Sequence, residues 1–141
     1  MPVYSEDGTL TALKVKQTNE IRGENRLRLH KIDIALFNED ASETVIRGVI
    51  IKDQEETEVQ LPAEAVKPAG IMVNYDDQGY MKVTYDQKTL DWMEEHLHEI
   101  QSKTARSVIW RNLWDHVKNL KMSSSQYLRF ISKQFVHEDV Y

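Results

Sequence analysis

The sequence predicts an antiparallel β-sandwich followed by three α-helices. Three observations point there. Up to residue 86 the apolar residues alternate with period two, and beyond it they recur with a period near 3.6. Six short apolar stretches in the first part are separated by polar turns, as in a two-sheet protein. Charge also divides at that place: residues 1–86 carry 10 Lys/Arg against 16 Asp/Glu, net −6, whereas residues 87–141 carry 8 against 7, net +1. The expected organisation is a sandwich over 1–86 and a helical unit over 87–141.

Taken in order, Leu10, Ala12 and Lys14 alternate with Thr11, Leu13 and Val15, giving a strand that ends near Gln17. From Leu27 to Phe37, His30, Ile32, Ile34 and Leu36 fall on one side, with Lys31, Asp33 and Ala35 on the other. That is the signature of a half-buried strand. Val45 to Ile51 reads as a third and Thr57 to Leu61 as a fourth, joined through the acidic turn at 53–56. The last two form an expected hairpin, with Ile71, Met72 and Val73 running into a turn and Tyr80, Met81, Val83 and Tyr85 running out of it. This is the strand supply of an immunoglobulin-like or fibronectin-like sandwich.

The first helix is expected after an Asp86 cap, with Leu90, Met93, Leu97 and Ile100 on one face. The second carries Ile109, Leu113, His116 and Leu120, flanked by Trp110, Trp114 and Val117. Trp110 and Trp114, four residues apart, read as core. Ser123 with Gln126 forms a capping box opening the third, on which Leu128, Ile131 and Phe135 fall together beside Tyr127 and Phe130. Faces this wide normally have neighbours on each side, so the helical unit reads as incomplete.

Composition excludes several functions. At 141 residues with 40% hydrophobic and 29% charged residues, the chain can bury one real core. No apolar run approaches the ~20 residues that span a bilayer, and nothing at the N-terminus resembles a signal peptide. There is no cysteine, hence no disulfide, thiolate metal site or thiol nucleophile. No Asn-x-Ser/Thr acceptor occurs either, and both features fit a cytoplasmic protein. The net charge of −5 lacks the basic excess that nucleic acid binding demands.

The stretch "VNYDDQGY" at 73–80 begins like a calcium loop, with Asn74, Asp76 and Gln78 at alternate positions and then Gly79. An EF-hand loop also needs a bidentate Glu at its twelfth position, which here is Tyr85. A turn between strands accounts for the same residues. His96-Leu-His98-Glu99 resembles part of the zinc motif H-E-x-x-H, but two histidines two apart stand about 200° around a helix and cannot share a metal. His30 and His116 read as hydrogen-bonded core or domain-edge residues, and His137 as part of a fraying end. Ser123, Ser124 and Ser125 have no nucleophile-elbow context, and five glycines form no phosphate loop. No catalytic, cofactor-binding or metal residue is expected in this chain.

The order of motifs does resemble a known family. "VNYDDQGYMKVTYD" followed by "LDWMEEHLHEIQSKTARSVIWRNLWDHVKNLKMSSSQYL" looks like the junction between the β-sandwich domain and the C-terminal helical domain of the zinc-dependent aminopeptidase N family. The matching residues are Asn74, Asp77, Gly79 and Tyr80 of an Asn-x-x-Asp-x-Gly-Tyr turn; Val83, Tyr85 and Asp86 of a strand end; and Ala105, Arg106, Leu113, Trp114 and Asp115 of a helix. Upstream, "VKQT" and "RLHKI" resemble sandwich strands of the same family, where a Pro is common in place of Leu29.

The resemblance implies a segment of a large zinc metallopeptidase that removes N-terminal residues from peptides. In such enzymes this sandwich links a catalytic domain to a helical solenoid closing over the active site. The zinc motif H-E-x-x-H, its downstream Glu and the Gly-x-Met-Glu-Asn segment belong to the catalytic domain, and none occurs here. Zinc is therefore expected only in the parent's catalytic domain. With Met1 falling where the sandwich would begin and Tyr141 after the first helices, the chain is expected to be an excised piece. Its expected role is a non-catalytic spacer that contributes to the peptide chamber, with structural or interdomain roles for Asn74, Asp77, Gly79, Tyr80, Tyr85, Asp86, Arg106, Trp114 and Asp115. The implied partners are the parent's catalytic domain, its remaining helices and its peptide substrate, without nucleic acid or membrane. Exposed helix faces would favour self-association. The alternative is a stand-alone interaction module that binds a partner through its helices.

Overall fold

The computed structural model describes residues 1–19, 26–64 and 66–138. In chain order the elements are β1 (Pro2–Tyr4), β2 (Leu10–Lys16), β3 (His30–Phe37), β4 (Glu43–Ile51), β5 (Glu56–Val59), β6 (Gly70–Val73), α1 (Gln87–His96), α2 (Lys103–Lys118) and α3 (Ser124–Gln134). Short 3-10 turns follow α1 at Leu97–Glu99 and α3 at Phe135–His137. The strands form two antiparallel sheets of three, ordered β1-β2-β5 and β4-β3-β6.

The sheets pack face to face through Leu10, Leu13 and Val59 on one side and Ile32, Ile34, Leu36, Ile51 and Ile71 on the other. Leu10 and Leu13 both point inward although they stand three apart. A bulge causes this: Val3 pairs with Ala12 but Tyr4 pairs with Leu10, so Thr11 is passed over and the alternation is reset. Leu10 therefore leaves the face that simple alternation shares between it, Ala12 and Lys14.

The expectation of a half-buried strand fails at β3. The strand starts at His30 rather than Leu27, and every residue from Ile32 to Phe37 is buried. While Ile32, Ile34 and Leu36 face the other sheet, Ala35 and Phe37, together with Met72 of β6, pack against the helices. The helices thus form a third layer, and one apolar core holds Phe37, Met72, Trp92, Met93, Ile109 and Phe130 together. Trp92 lies flat on Phe37, ring centroids 5.1 Å apart at 16°. Gly70 permits that approach, because a Cβ there would stand 2.8 Å from Trp92 Cε3.

The expected closing hairpin is also absent. β6 pairs with β3, Ile34 opposite Val73 and Phe37 opposite Gly70, and residues 81–86 join no sheet. Conversely, the three-residue β1 is too short to announce itself by alternation. The acidic turn after β4 carries the chain from one sheet to the other, since β4 and β5 belong to different sheets.

Side-chain caps open all three helices, at Asp86 and Ser123 as expected and at Ser102 as well. Asp86 Oδ1 accepts from Thr89 N at 2.7 Å, Ser102 Oγ from Ala105 N at 3.1 Å and Ser123 Oγ from Gln126 N at 3.2 Å. The stripe Leu90, Met93, Leu97 and Ile100 is buried throughout, carried past His96 by the 3-10 turn. α2 ends earlier than its apolar stripe suggests. Leu120 adopts a left-handed φ of 57°, and Lys121 N reaches His116 O at 2.8 Å while Leu120 N reaches Val117 O at 3.1 Å. This Schellman closure throws Leu120 into solvent. On α3, Phe130 and Gln134 face the core, whereas Leu128 (62% exposed) and, in the 3-10 turn that follows, Phe135 (58%) lie outward. Trp114, expected in the core, is 49% exposed.

Candidate functional site

The residues that carry the sequence motifs gather where the sheets meet the helices. At the end of β6, Asn74 is fully buried with φ 63°, and its side chain holds the following turn shut: Gly79 N donates to Asn74 Oδ1 at 2.9 Å, and Asn74 Nδ2 donates to Gly79 O at 2.8 Å. Asp77 takes a second left-handed conformation, φ 54°, and its N–H reaches Asn74 O at 3.1 Å. Asn and Asp tolerate this region better than other side chains, which places them here. Tyr80 follows, fully exposed.

Two ion pairs tie the turn to both neighbouring layers. Asp76 accepts from Arg47 Nη1 of β4 at 2.5 Å, and the same nitrogen reaches Asp33 of β3 at 2.6 Å. Asp77 takes Arg111 of α2 in a two-pronged contact at 2.5 and 3.1 Å. Asp33 is buried at a second bulge, and Gly48 N donates to its Oδ1 at 2.7 Å. That N–H holds the Asp33 carboxyl below its ordinary range, with Arg47 adding to the effect. Gln78 Nε2 also donates to Asp33, at 3.3 Å.

The oxygens a calcium loop would aim at an ion are thus engaged by protein donors: Asn74 by Gly79 and Asp76 by Arg47. The histidine motif fares no better as a zinc site. His96 Nδ1 meets Glu99 Oε2 at 2.9 Å while its ring stacks on Trp92, and His98 Nδ1 donates to Gln134 Oε1 at 2.6 Å. Among the described residues no three His, Cys, Asp or Glu side chains converge as metal ligands. The donor set here does not fit zinc.

Residues 83–85 explain the missing strand. Their backbone is bonded to side chains of α2 in place of a neighbouring strand: Val83 N donates to Asn112 Oδ1 at 3.4 Å and Tyr85 N to His116 Nε2 at 3.2 Å. Asn112 and His116 stand four apart on one helix face, matching two N–H groups on the same side of an extended segment. His116 Nδ1 donates to Asn112 O at 2.7 Å, so this network fixes the neutral tautomer with its proton on Nδ1. Asn112 Nδ2 donates to Tyr85 Oη at 2.9 Å, and the Tyr85 and His116 rings stack 5.7 Å apart. Burial pushes the Tyr85 phenol above its ordinary value.

The remaining motif residues sit on either side. Thr89, whose N–H the Asp86 cap engages, accepts Ile71 N through its Oγ1 at 3.0 Å, so the start of α1 covers the free edge of β6. Arg106 is buried in α2, donating from Nη1 to Ile100 O at 2.6 Å and from Nε to Glu138 at 2.7 Å. Glu138 also accepts Trp110 Nε1 at 3.0 Å, which fastens the end of the described chain to α2. Trp114 rests on Tyr127 of α3 with centroids 5.6 Å apart, and Asp115 pairs with Lys118 at 2.6 Å. The structure therefore brings Asn74, Asp77, Gly79, Tyr85 and Asp86 to one junction and leaves Arg106, Trp114 and Asp115 along α2.

Sequence reasoning passed over Asp33, Arg47, Arg111 and Asn112, which complete the junction. Asn112 left a usable sign: with His116 it puts two polar residues on an otherwise apolar helix face, and buried polar groups need partners.

Comparison with known proteins bears on the same region. The ERAP1-like C-terminal domain family model matches residues 70–141, from β6 through α3. An aminopeptidase N of Streptomyces lividans is 28% identical over 133 residues, covering 89% of this chain. The chain spans only 16% of that relative's length.

Proposed function

This chain belongs to the family of ERAP1-like C-terminal domains and is related to aminopeptidase N, and from that premise we propose that it is a non-catalytic part of a zinc metallo-aminopeptidase. The sandwich sets the distance and angle between the catalytic domain and the helices. The helices begin a solenoid and form part of the wall of the peptide chamber. One observation carries this reading: the family match starts at β6 and runs through the junction turn into the helices, the region where the motif residues are locked to both layers. Zinc and the groups that act on the peptide bond belong to the catalytic domain; the two histidines here that come nearest to the zinc motif, His96 and His98, are engaged by Glu99 and Gln134.

Aminopeptidase assays test the proposal. With added zinc this chain is expected to release no amino acid from a peptide, while a longer chain that includes the natural upstream sequence is expected to be active. Activity in this chain alone would overturn the reading and direct attention to His96, His98 and Glu99.

The exposed side chains Trp114, Leu128 and Phe135 favour a second reading, an interaction module that binds a partner protein through α2 and α3. Finding the zinc motif encoded in frame upstream of this chain would dismiss it.

A further inference from the structure

We propose that the two sheets and the three helices form one rigid body, so that any opening of the larger protein bends the chain elsewhere than between β6 and α1. Residues 74–86 form an irregular connection of the sort that ordinarily absorbs a hinge motion. Here it is fixed at each end and in the middle. Asp76 and Asp77 hold β4 and α2 at once, and Tyr75 N donates to Asp33 O at 2.9 Å. Val83 and Tyr85 are bonded to buried side chains of α2. Rotation about this segment would strip the N–H groups of Val83 and Tyr85 of their buried partners, and an unpaired buried N–H is costly.

The core adds an independent constraint. Trp92 of α1 lies between Phe37 of β3 and its own His96, against the bare backbone of Gly70, and so belongs to the sheet's packing as much as to the helix's. Hinges occur where packed surfaces can slide or separate, and close-packed interiors do neither by degrees. The consequence for the larger protein depends on its being the spacer proposed above. Rigidity itself is measured on this chain alone, so its failure would leave the aminopeptidase assay to decide that reading separately.

Because the chain has no cysteine, two can be introduced as unique label sites. Glu58→Cys on β5 and Ser132→Cys on α3 are exposed positions at opposite sides of the junction. Paired spin labels there are expected to give a single narrow distance distribution, unchanged when Arg111→Ala removes the exposed tie between the turn and α2. Two populations, or a spread well beyond that of the labels, would overturn the proposal. In urea, the fluorescence of Trp92, Trp110 and Trp114 should be lost at the same midpoint as amide protection in the β2–β5 pair. A helical transition at lower urea with the sheet still protected would overturn it equally.

Discussion

Asp33 shows how one buried carboxylate organises its surroundings. It lies in the middle of β3, where a bulge lets Arg47 and Gly48 both face it, and Gly48 takes a left-handed φ of 65° to aim its N–H at the carboxylate. A group whose pKa is lower in the folded state stabilises that state above its unfolded pKa, about 3.9 for Asp, and loses the contribution as pH falls through the lower folded value. Asp33→Asn should therefore lower the urea midpoint at pH 7, and the gap to the parent chain should narrow as pH drops below about 4. A gap that stays constant from pH 7 to pH 3 would show that the charge of Asp33 contributes nothing. The role was not legible in the sequence. Alternation put Asp33 on an outward face, and the bulge in β3, with Arg47 and Gly48 of β4 and Gln78 of the turn after β6 gathered on its carboxylate, makes it a buried acid.

At the scale of elements, the extended character of residues 80–85 was readable from Tyr80, Met81, Val83 and Tyr85, but its partner was not. Alternation reports that a segment is extended, and it says nothing about what accepts its N–H groups. Those acceptors come from Asn112 and His116, 29 and 31 residues further on. The caps Asp86, Ser102 and Ser123 are local chemistry, which is why the helix starts that sequence reading assigned to Asp86 and Ser123 were found in place. α3 marks the limit of that approach, since its outward stripe and its buried Phe130 are equally apolar as sequence. Phe130→Ala should cost about 3–5 kcal/mol through the cavity it leaves. Leu128→Ala should stay within about 0.5 kcal/mol, as an exposed substitution does. Denaturant midpoints of the two variants would separate these faces, and equal losses would mean that α3 is turned otherwise about its axis.

For the whole molecule, the question is what the outward aromatic surface does when nothing covers it. Trp110, Trp114, Tyr127 and Phe135 touch one another in a chain, with Trp110 edge-on to Phe135 at 5.8 Å and to Tyr127 at 6.4 Å, and Trp114 on Tyr127. Leu128 stands two helical turns from Phe135, on the same side of α3. Soluble monomers seldom leave apolar patches larger than a few hundred Å² uncovered. Burying this one against a second copy removes it from water, and the net charge of −5 opposes that association only weakly once salt screens it. The weight-average mass in sedimentation equilibrium should accordingly rise with protein concentration. Because the driving force is apolar burial, association should weaken on cooling and strengthen in sulfate, the reverse of a contact held by ion pairs. The double variant Leu128→Ser, Phe135→Ser should remain monomeric over the same range with its urea midpoint little changed, since neither side chain belongs to the core. A parent chain that is monomeric at every concentration would show instead that the two helices leave too little continuous apolar area to hold a second copy.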